Sequence, residues 1–339
     1  MDKSLDTAVI PPAQIPKRGH RLERLVEIAK GHAPLPTAVI APESSEALAG
    51  ALEARDLGLI NPVLIGNRSK ITAIAEALSA DLKGVTLIEA ADTIAAAEQG
   101  VALVRDGTVR ALMKGHLHTE DFLRPIVRRD GGLRTRRRLS HVFVMDSGDL
   151  DRLILVSDAA IAIAPDLMQK VDITQNAIDL ARAIGIALPK VALLSAIETV
   201  SPAMPSSVDA AILSKMAERG QITGGIVDGP LAMDNAMNLE AAMAKGLDLR
   251  VAGHADVLIV PNIEAGNMLA KDLIFVSGAA SAGLVVGASV PIILTSRSDD
   301  AAARVASCAV ALAYDLWRRT GQPIMDWTAL AEPASTQGA

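Results

Sequence analysis

The sequence predicts an α/β fold in two domains built around parallel strands, and three observations predict it. Half of the 339 residues are hydrophobic while only 2% are aromatic, so the core is aliphatic, as suits helices packed on parallel strands. Short β-branched runs alternate with Ala-rich amphipathic stretches, the signature of repeated βα units. The length is about twice that of a common single domain, enough to bury roughly three-quarters of the unfolded surface without a staple.

Residues 1–19 contain three prolines and read as a loose arm. Strands are then expected at Thr37–Ile40, Pro62–Ile65, Thr86–Glu89, Ala111–Lys114 and His141–Met145, with helices at Ser45–Leu57 and Thr93–Arg105 between them. The polar stretch 146–151 carries Ser-Gly, a turn signal, and marks a domain boundary. Beyond it, strands are expected at Leu153–Ser157, Lys190–Ser195, Gly225–Asp228, Val257–Val260 and Pro291–Thr295. Helices are expected at Asp172–Ile184, Val208–Arg219 and Asp299–Arg318. The last of these is long and amphipathic and carries Tyr314 and Trp317, so it is expected to return to the first domain. The division is therefore 1–146 plus 288–339 for the first domain, with 147–287 as a second, inserted one.

Composition narrows the partners. Net charge is −6 with acid and base mixed along the chain, which argues against nucleic acid, whose phosphate backbone needs a concentrated cationic surface. The exception is local: Arg124, Arg128, Arg129, Arg134, Arg136, Arg137 and Arg138 fall within fifteen residues. Most of these read as a solvated or interface face; one or two would suit a phosphorylated substrate, because guanidinium matches phosphate geometry. The single cysteine, Cys308, reads as a packed thiol inside an apolar helix. The N-terminus lacks the features of a signal peptide, and no run of about 18 uncharged apolar residues occurs. A cytoplasmic location and no membrane association are expected.

In open α/β sheets ligands bind where the strands end, and here the residues after the strands are polar or glycine-containing. They are Lys114-Gly-His-Leu-His118, Ser157-Asp158, Ser195–Glu198, Asp228-Gly-Pro230, Pro261–Asn267 and Thr295–Asp300. In the last, Ser298 is a good N-cap and Asp299 and Asp300 suit a helix N-terminus; Ser296 and Arg297 precede the cap and read as functional. In Pro261–Asn267, Gly266 would admit close backbone approach, and Asn262 and Asn267 offer neutral donors. The competing reading is a helix start with Asn262 as N-cap and Glu264 in the first turn. His116 and His118 lack the companions a metal site needs. No Walker motif and no GxGxxG follows a strand.

Taken together, several segments resemble one family. They are Met113-Lys-Gly with Asp121-Phe-Leu-Arg-Pro125, Leu139-Ser-His-Val142, Ser157-Asp-Ala-Ala160 with Ala164-Pro-Asp-Leu167, Asp228-Gly-Pro-Leu-Ala232 with Asp234, Pro261–Asn267 and Leu294-Thr-Ser-Arg297. In this order, across roughly residues 20 to 320, they resemble the phosphate acetyltransferase and phosphate butyryltransferase family. The wording of 157–167 and 295–297 is nearer the butyryl branch.

The resemblance implies an isocitrate/isopropylmalate dehydrogenase-like fold, with the active site in the interdomain cleft of a homodimer or higher homo-oligomer. It implies transfer of an acyl group between coenzyme A and phosphate, with acyl-CoA, phosphate and acyl phosphate as the small-molecule partners. Coenzyme A enters only as a substrate; no cofactor is bound and no metal takes part. On this reading Arg297 meets the charge that builds on the thioester carbonyl oxygen, Ser296 serves the leaving thiolate, and Arg124 holds phosphate. Thr119, Asn262, Glu264, Gly266 and Asn267 complete the substrate-binding set. The spacing that places the base in acetyl members lands on Ala303 here, so the base is assigned to Asp300, with Asp299 behind it. Two other classes stay open. One is a metal- and NAD(P)-dependent decarboxylating dehydrogenase, for which only Asp228 and Asp234 in a loop are on offer. The other is a non-catalytic module that binds coenzyme A or acyl phosphates.

Overall fold

The computed structural model describes residues 20–148, 150–295 and 299–327 of the chain. Its first elements are α1 (His20–Ala29), β1 (Leu35–Ile40), α2 (Ser45–Asp56), β2 (Ile60–Gly66), α3 (Arg68–Ala77) and β3 (Thr86–Glu89). Next come α4 (Thr93–Arg105), β4 (Ala111–Lys114), α5 (Thr119–Ile126), β5 (Ser140–Asp146), β6 (Ile154–Ser157) and α6 (Leu167–Ala183). Then follow β7 (Lys190–Leu194), α7 (Pro205–Glu218), β8 (Ile226–Leu231), α8 (Met233–Met237), α9 (Leu239–Ala244) and β9 (Val257–Ile259). The last are α10 (Ile263–Phe275), β10 (Ala280–Val286), β11 (Ile292–Ile293) and α11 (Ala301–Thr320).

Among the described residues the strands make one eleven-stranded sheet in the order β3-β2-β1-β4-β11-β10-β5-β6-β9-β7-β8. The array β3 to β11 is parallel throughout, and so is the array β6 to β8. Between them β11–β10, β10–β5 and β5–β6 pair antiparallel; three reversals make the two arrays run in opposite directions. The fold is thus mixed α/β with a large, parallel-rich sheet. The strands on either side of the stretch 146–151, β5 and β6, pair antiparallel within this sheet.

Alternation along the strands decides what each face holds. On one face Val39, Met113, Ile293, Leu284, Val142 and Leu155 join a single core that runs across both arrays beneath α1, α2, α6 and α11. The opposite face carries two separate cores. One gathers Ile40, Leu112 and Ile292 with Phe122 of α5; the other gathers Val156, Leu258 and Met145 with Ala270 and Ile274 of α10. Across the gap between them runs the β10–β5 join, where Gly283 is registered against Phe143 and Val285 against His141.

Some expectations need correction. β10 was not foreseen, because its small residues (Ala-Ser-Ala-Gly) carry little strand signal. The strand expected at Pro291–Thr295 forms its ladder only at Ile292–Ile293. The helix expected from Asp172 begins at Leu167, where Asp166 and Gln169 form a reciprocal capping box. The last helix begins at Ala301 and is capped by Asp300, whose Oδ1 accepts from Ala303 N at 2.9 Å. Ser298, expected in that role, lies outside the described residues. α11 packs against α1, α2, α6 and β10. Cys308 is fully buried, and burial pushes its thiol up to about 12, as a packed thiol requires. No described helix is long and apolar enough to cross a membrane.

Candidate active site

The gap between the two cores on one face opens as a cleft of about 420 Å³, within the range of small-molecule sites. Lys114 closes the end of β4, and Leu117, His118 and Thr119 follow it. Leu294, Thr295 and Asp299 come from the segment after β11, while Asn267 and Lys271 of α10 and Ala160 after β6 form the facing wall. His141 and Phe143, two apart on β5, lie on the floor. Loops at the carboxyl ends of strands from both arrays therefore meet over the antiparallel join. A second hollow of about 210 Å³ shares Lys114 and Thr295 and adds Ser44, Glu46, His116 and Arg304.

Two buried cations dominate this region. Lys114 is 8% exposed, and its Nζ donates to Gly115 O and Leu117 O at 3.2 Å each. Arg304, 5% exposed, rises from the second turn of α11. Its Nη1 donates to Thr295 Oγ1 at 3.1 Å and its Nη2 to Asp299 O at 3.3 Å. One guanidinium therefore braces both residues that flank positions 296–298. It fits because α2 carries Gly50 opposite: a Cβ there would lie 2.7 Å from Arg304 Cδ.

The facing wall is pinned by a carboxylate. Asp158, 2% exposed, accepts from the backbone N–H of Ala160 (2.8 Å), Ile161 (2.9 Å) and Ala162 (3.2 Å) and from that of His141. Burial still pushes its carboxyl above the usual range, because desolvation penalises the charge more than these donors repay. α10 lies tight against this loop: a Cβ on Gly266 would come within 2.8 Å of Asp158 O. Asn267 Nδ2 donates to Ala159 O at 3.2 Å. The floor residue His141 is 2% exposed and packs edge-on to Phe143, ring centroids 4.4 Å apart. Burial, reinforced by the charge of Lys271, lowers its pKa to about 4.

The structure brings together some of the residues singled out from sequence and not others. Thr119 and Asn267 line the cleft, as does Asp299. Ser296 and Arg297 lie outside the described residues, between cleft-lining Thr295 and Asp299. Asp300 caps α11, and the hollow that it lines is a different one, between α1, α2 and α11. Asn262 spends its side chain on the N-cap of α10, accepting from Ala265 N at 3.0 Å, and Glu264 is exposed in the first turn. At Gly266 the backbone that approaches is that of Asp158 and Ala159. Arg124 stands on α5, half exposed, paired with Glu120 (3.4 Å) and Asp121 (3.2 Å) of its own helix and absent from the cleft lining. Sequence reasoning assigned no role to His141, Lys271 or Arg304, and flagged Lys114 only as part of a polar loop. A cation closing an apolar strand, and another inside an Ala-rich helix, were the available signals.

Comparison with known proteins agrees in one direction. Residues 83–312 match the family described as "Phosphate acetyl/butaryl transferase". The chain is 50% identical over 307 residues to a phosphate acetyltransferase of Rhizobium meliloti, covering 91% of this chain and 97% of the relative. It is 40% identical over 274 residues to a phosphate butyryltransferase of Clostridium acetobutylicum, covering 81% and 91%. Among solved structures it resembles a branched-chain phosphotransacylase from Enterococcus faecalis V583. The TM-score is 0.71 and the identity 30%, over 83% of this chain and 99% of that one.

Proposed function

The chain belongs to the phosphate acetyl/butyryl transferase family, and from that premise we propose that its cleft carries acyl transfer between coenzyme A and inorganic phosphate. The observation that supports this reading is the meeting of strand-end loops from both arrays near buried Lys114 and Arg304, where Thr295 and Asp299, which flank positions 296–298 in the sequence, line the cleft. In the direction of acyl phosphate formation, an oxygen of hydrogenphosphate bonds to the thioester carbon. The carbonyl electron pair moves onto oxygen and returns as the C–S bond breaks. The proton of the hydrogenphosphate ends on the thiol, so the step balances without a further reactant.

Each stage asks for a group that this chain offers. The attacking anion takes the cationic side of the cleft at Lys114, with Arg124 of α5 as a second cation for it. Arg297 answers the charge on the carbonyl oxygen, and Ser296 hydrogen-bonds the departing sulfur. In reverse, the thiol must lose its proton to a base; Asp299 lines the cleft and takes precedence over Asp300, whose carboxylate is engaged at the helix cap. Thr119 and Asn267 bind substrate along the walls, while Gly266 lets α10 lie against the backbone of Asp158 and Ala159 and Asn262 caps that helix, with Glu264 in its first turn. Holding two substrates in register supplies much of the rate. No bound cofactor is needed for this sequence of steps.

The division into a lobe of 1–146 plus 288–339 and a lobe of 147–287, on an isocitrate dehydrogenase-like plan, is supported by the two oppositely directed arrays and the cleft where they meet. Exposed Met268 and Phe275 of α10, with Val276 just after, favour a homo-oligomer, and a cytoplasmic setting suits these substrates. The test is phosphate-dependent release of free thiol from acetyl-, butyryl- and branched acyl-CoA. Release with at least one thioester is expected; no release with any of them rejects the reading.

A further inference from the structure

His141 is used by none of the steps above, yet it forms part of the cleft floor. Its Nδ1 is sealed from solvent without a hydrogen-bond partner, an arrangement that costs about 1–3 kcal/mol in a folded protein. Nε2 lies beside Gly283, where a Cβ would approach it to 2.9 Å, so any side chain at 283 would displace the ring. Nε2 is the ring nitrogen left to serve the cleft. An unpaired acceptor is cheaper to bury than an unpaired N–H, which places the ring proton on Nε2.

We propose that His141 is a second hydrogen-bond donor of the transfer site, its Nε2–H serving the acyl carbonyl oxygen. The inference rests on the cleft being the transfer site. The same cleft is lined by Lys271 from α10, Lys114 from β4 and Asp299 after β11, and Asp158 accepts from the His141 backbone N–H. The lysines suit the phosphate anion. The carbonyl oxygen carries no full charge until attack, and a neutral donor held rigidly by Phe143 and Gly283 strengthens as that charge grows. His141 keeps its proton throughout: the carbonyl pair moves onto oxygen, is held there by Nε2–H, and returns as C–S breaks. An uncharged imidazole is what burial and Lys271 maintain.

The experiment compares His141→Phe, which keeps the ring shape and removes the donor, with His141→Gln, whose amide N–H reaches toward the Nε2 position. In the folded Phe variant kcat should fall on the order of a hundredfold, as loss of an oxyanion donor does, with both substrate KM values little changed. The Gln variant should recover most of that loss. Binding adds an independent reading: a methylene-for-sulfur ketone analogue of acetyl-CoA should bind the wild type more tightly than S-ethyl-CoA, and the Phe variant should lose that preference. Unchanged kcat in the Phe variant, or equal losses in both variants, overturns the proposal. Should the variants not fold, ¹H–¹⁵N spectra of the histidine-labelled wild type decide. One Nε2–H signal must move with the ketone analogue and not with S-ethyl-CoA; the same response to both overturns the assignment. Failure of the parent reading looks different, since the wild type itself would then release no thiol with phosphate.

Discussion

Lys114 occupies the last position of an all-buried strand, a place where a cation persists only when its charge is compensated. The carbonyls of Gly115 and Leu117 supply part of that compensation, leaving a positive end of the cleft matched to phosphate. Lys114→Met should therefore raise the phosphate KM by on the order of tenfold or more while changing the thioester KM little; the opposite split contradicts the assignment. Arg124→Ala should raise the phosphate KM less, since its partners are on its own helix; an unchanged KM removes it from the site. His141 makes a prediction about stability as well. Its value is about 4 in the folded chain against about 6.5 unfolded. Between those limits the unfolded chain takes a proton that the folded chain refuses, so stability is lost as pH falls from 6.5 towards 4, by roughly 3 kcal/mol from this group. Denaturant unfolding at pH 7 and 4.5 measures it: His141→Gln should show the smaller loss, and equal losses contradict the account.

At the scale of elements, Arg304 of α11 ties Thr295 to Asp299 while lying against Gly50 of α2. A methyl on Gly50 would improve the propensity of α2 by up to about 1 kcal/mol, but it meets Arg304 Cδ at 2.7 Å and must push the guanidinium off Thr295 and Asp299. Gly50→Ala should therefore remain folded and lose turnover by roughly tenfold or more; wild-type turnover would show that the brace is dispensable. Gly266→Ala is different, because the atoms it meets include backbone of Asp158 and Ala159; destabilisation by about 1–3 kcal/mol is expected in thermal unfolding. Legibility divides along the same line. β1 to β9 were readable as short aliphatic runs, and the N-cap of α10 as Asn262, because those signals are local. Arg304, His141 and Lys271 were not, since each matters through an element far away in sequence: Gly50 for the first, Gly283 for the second, the β5 floor for the third. Asp300 was drawn into the site by loop length, while local cap chemistry claimed it.

Among the described residues one long core lies on one face of the sheet and two shorter ones on the other, and the cleft exists because the latter two do not merge. The α/β class, with strands and helices alternating, was legible in the sequence. The antiparallel join was illegible, because β10 opens with four small residues and β5 reads like any other strand. Small side chains there serve the site: a bulky residue at 283 would fill the floor now occupied by His141. Closing the cleft by Gly283→Leu should abolish turnover and leave coenzyme A binding measurably weakened; retained turnover would place the reaction elsewhere. The central claim, that the Ser296-Arg297 pair serves acyl transfer in this cleft, is tested most directly by phosphate-dependent thiol release from Arg297→Ala beside the wild type. The account predicts a folded variant whose turnover is lower by on the order of a hundredfold or more; near-normal turnover in that variant would contradict it.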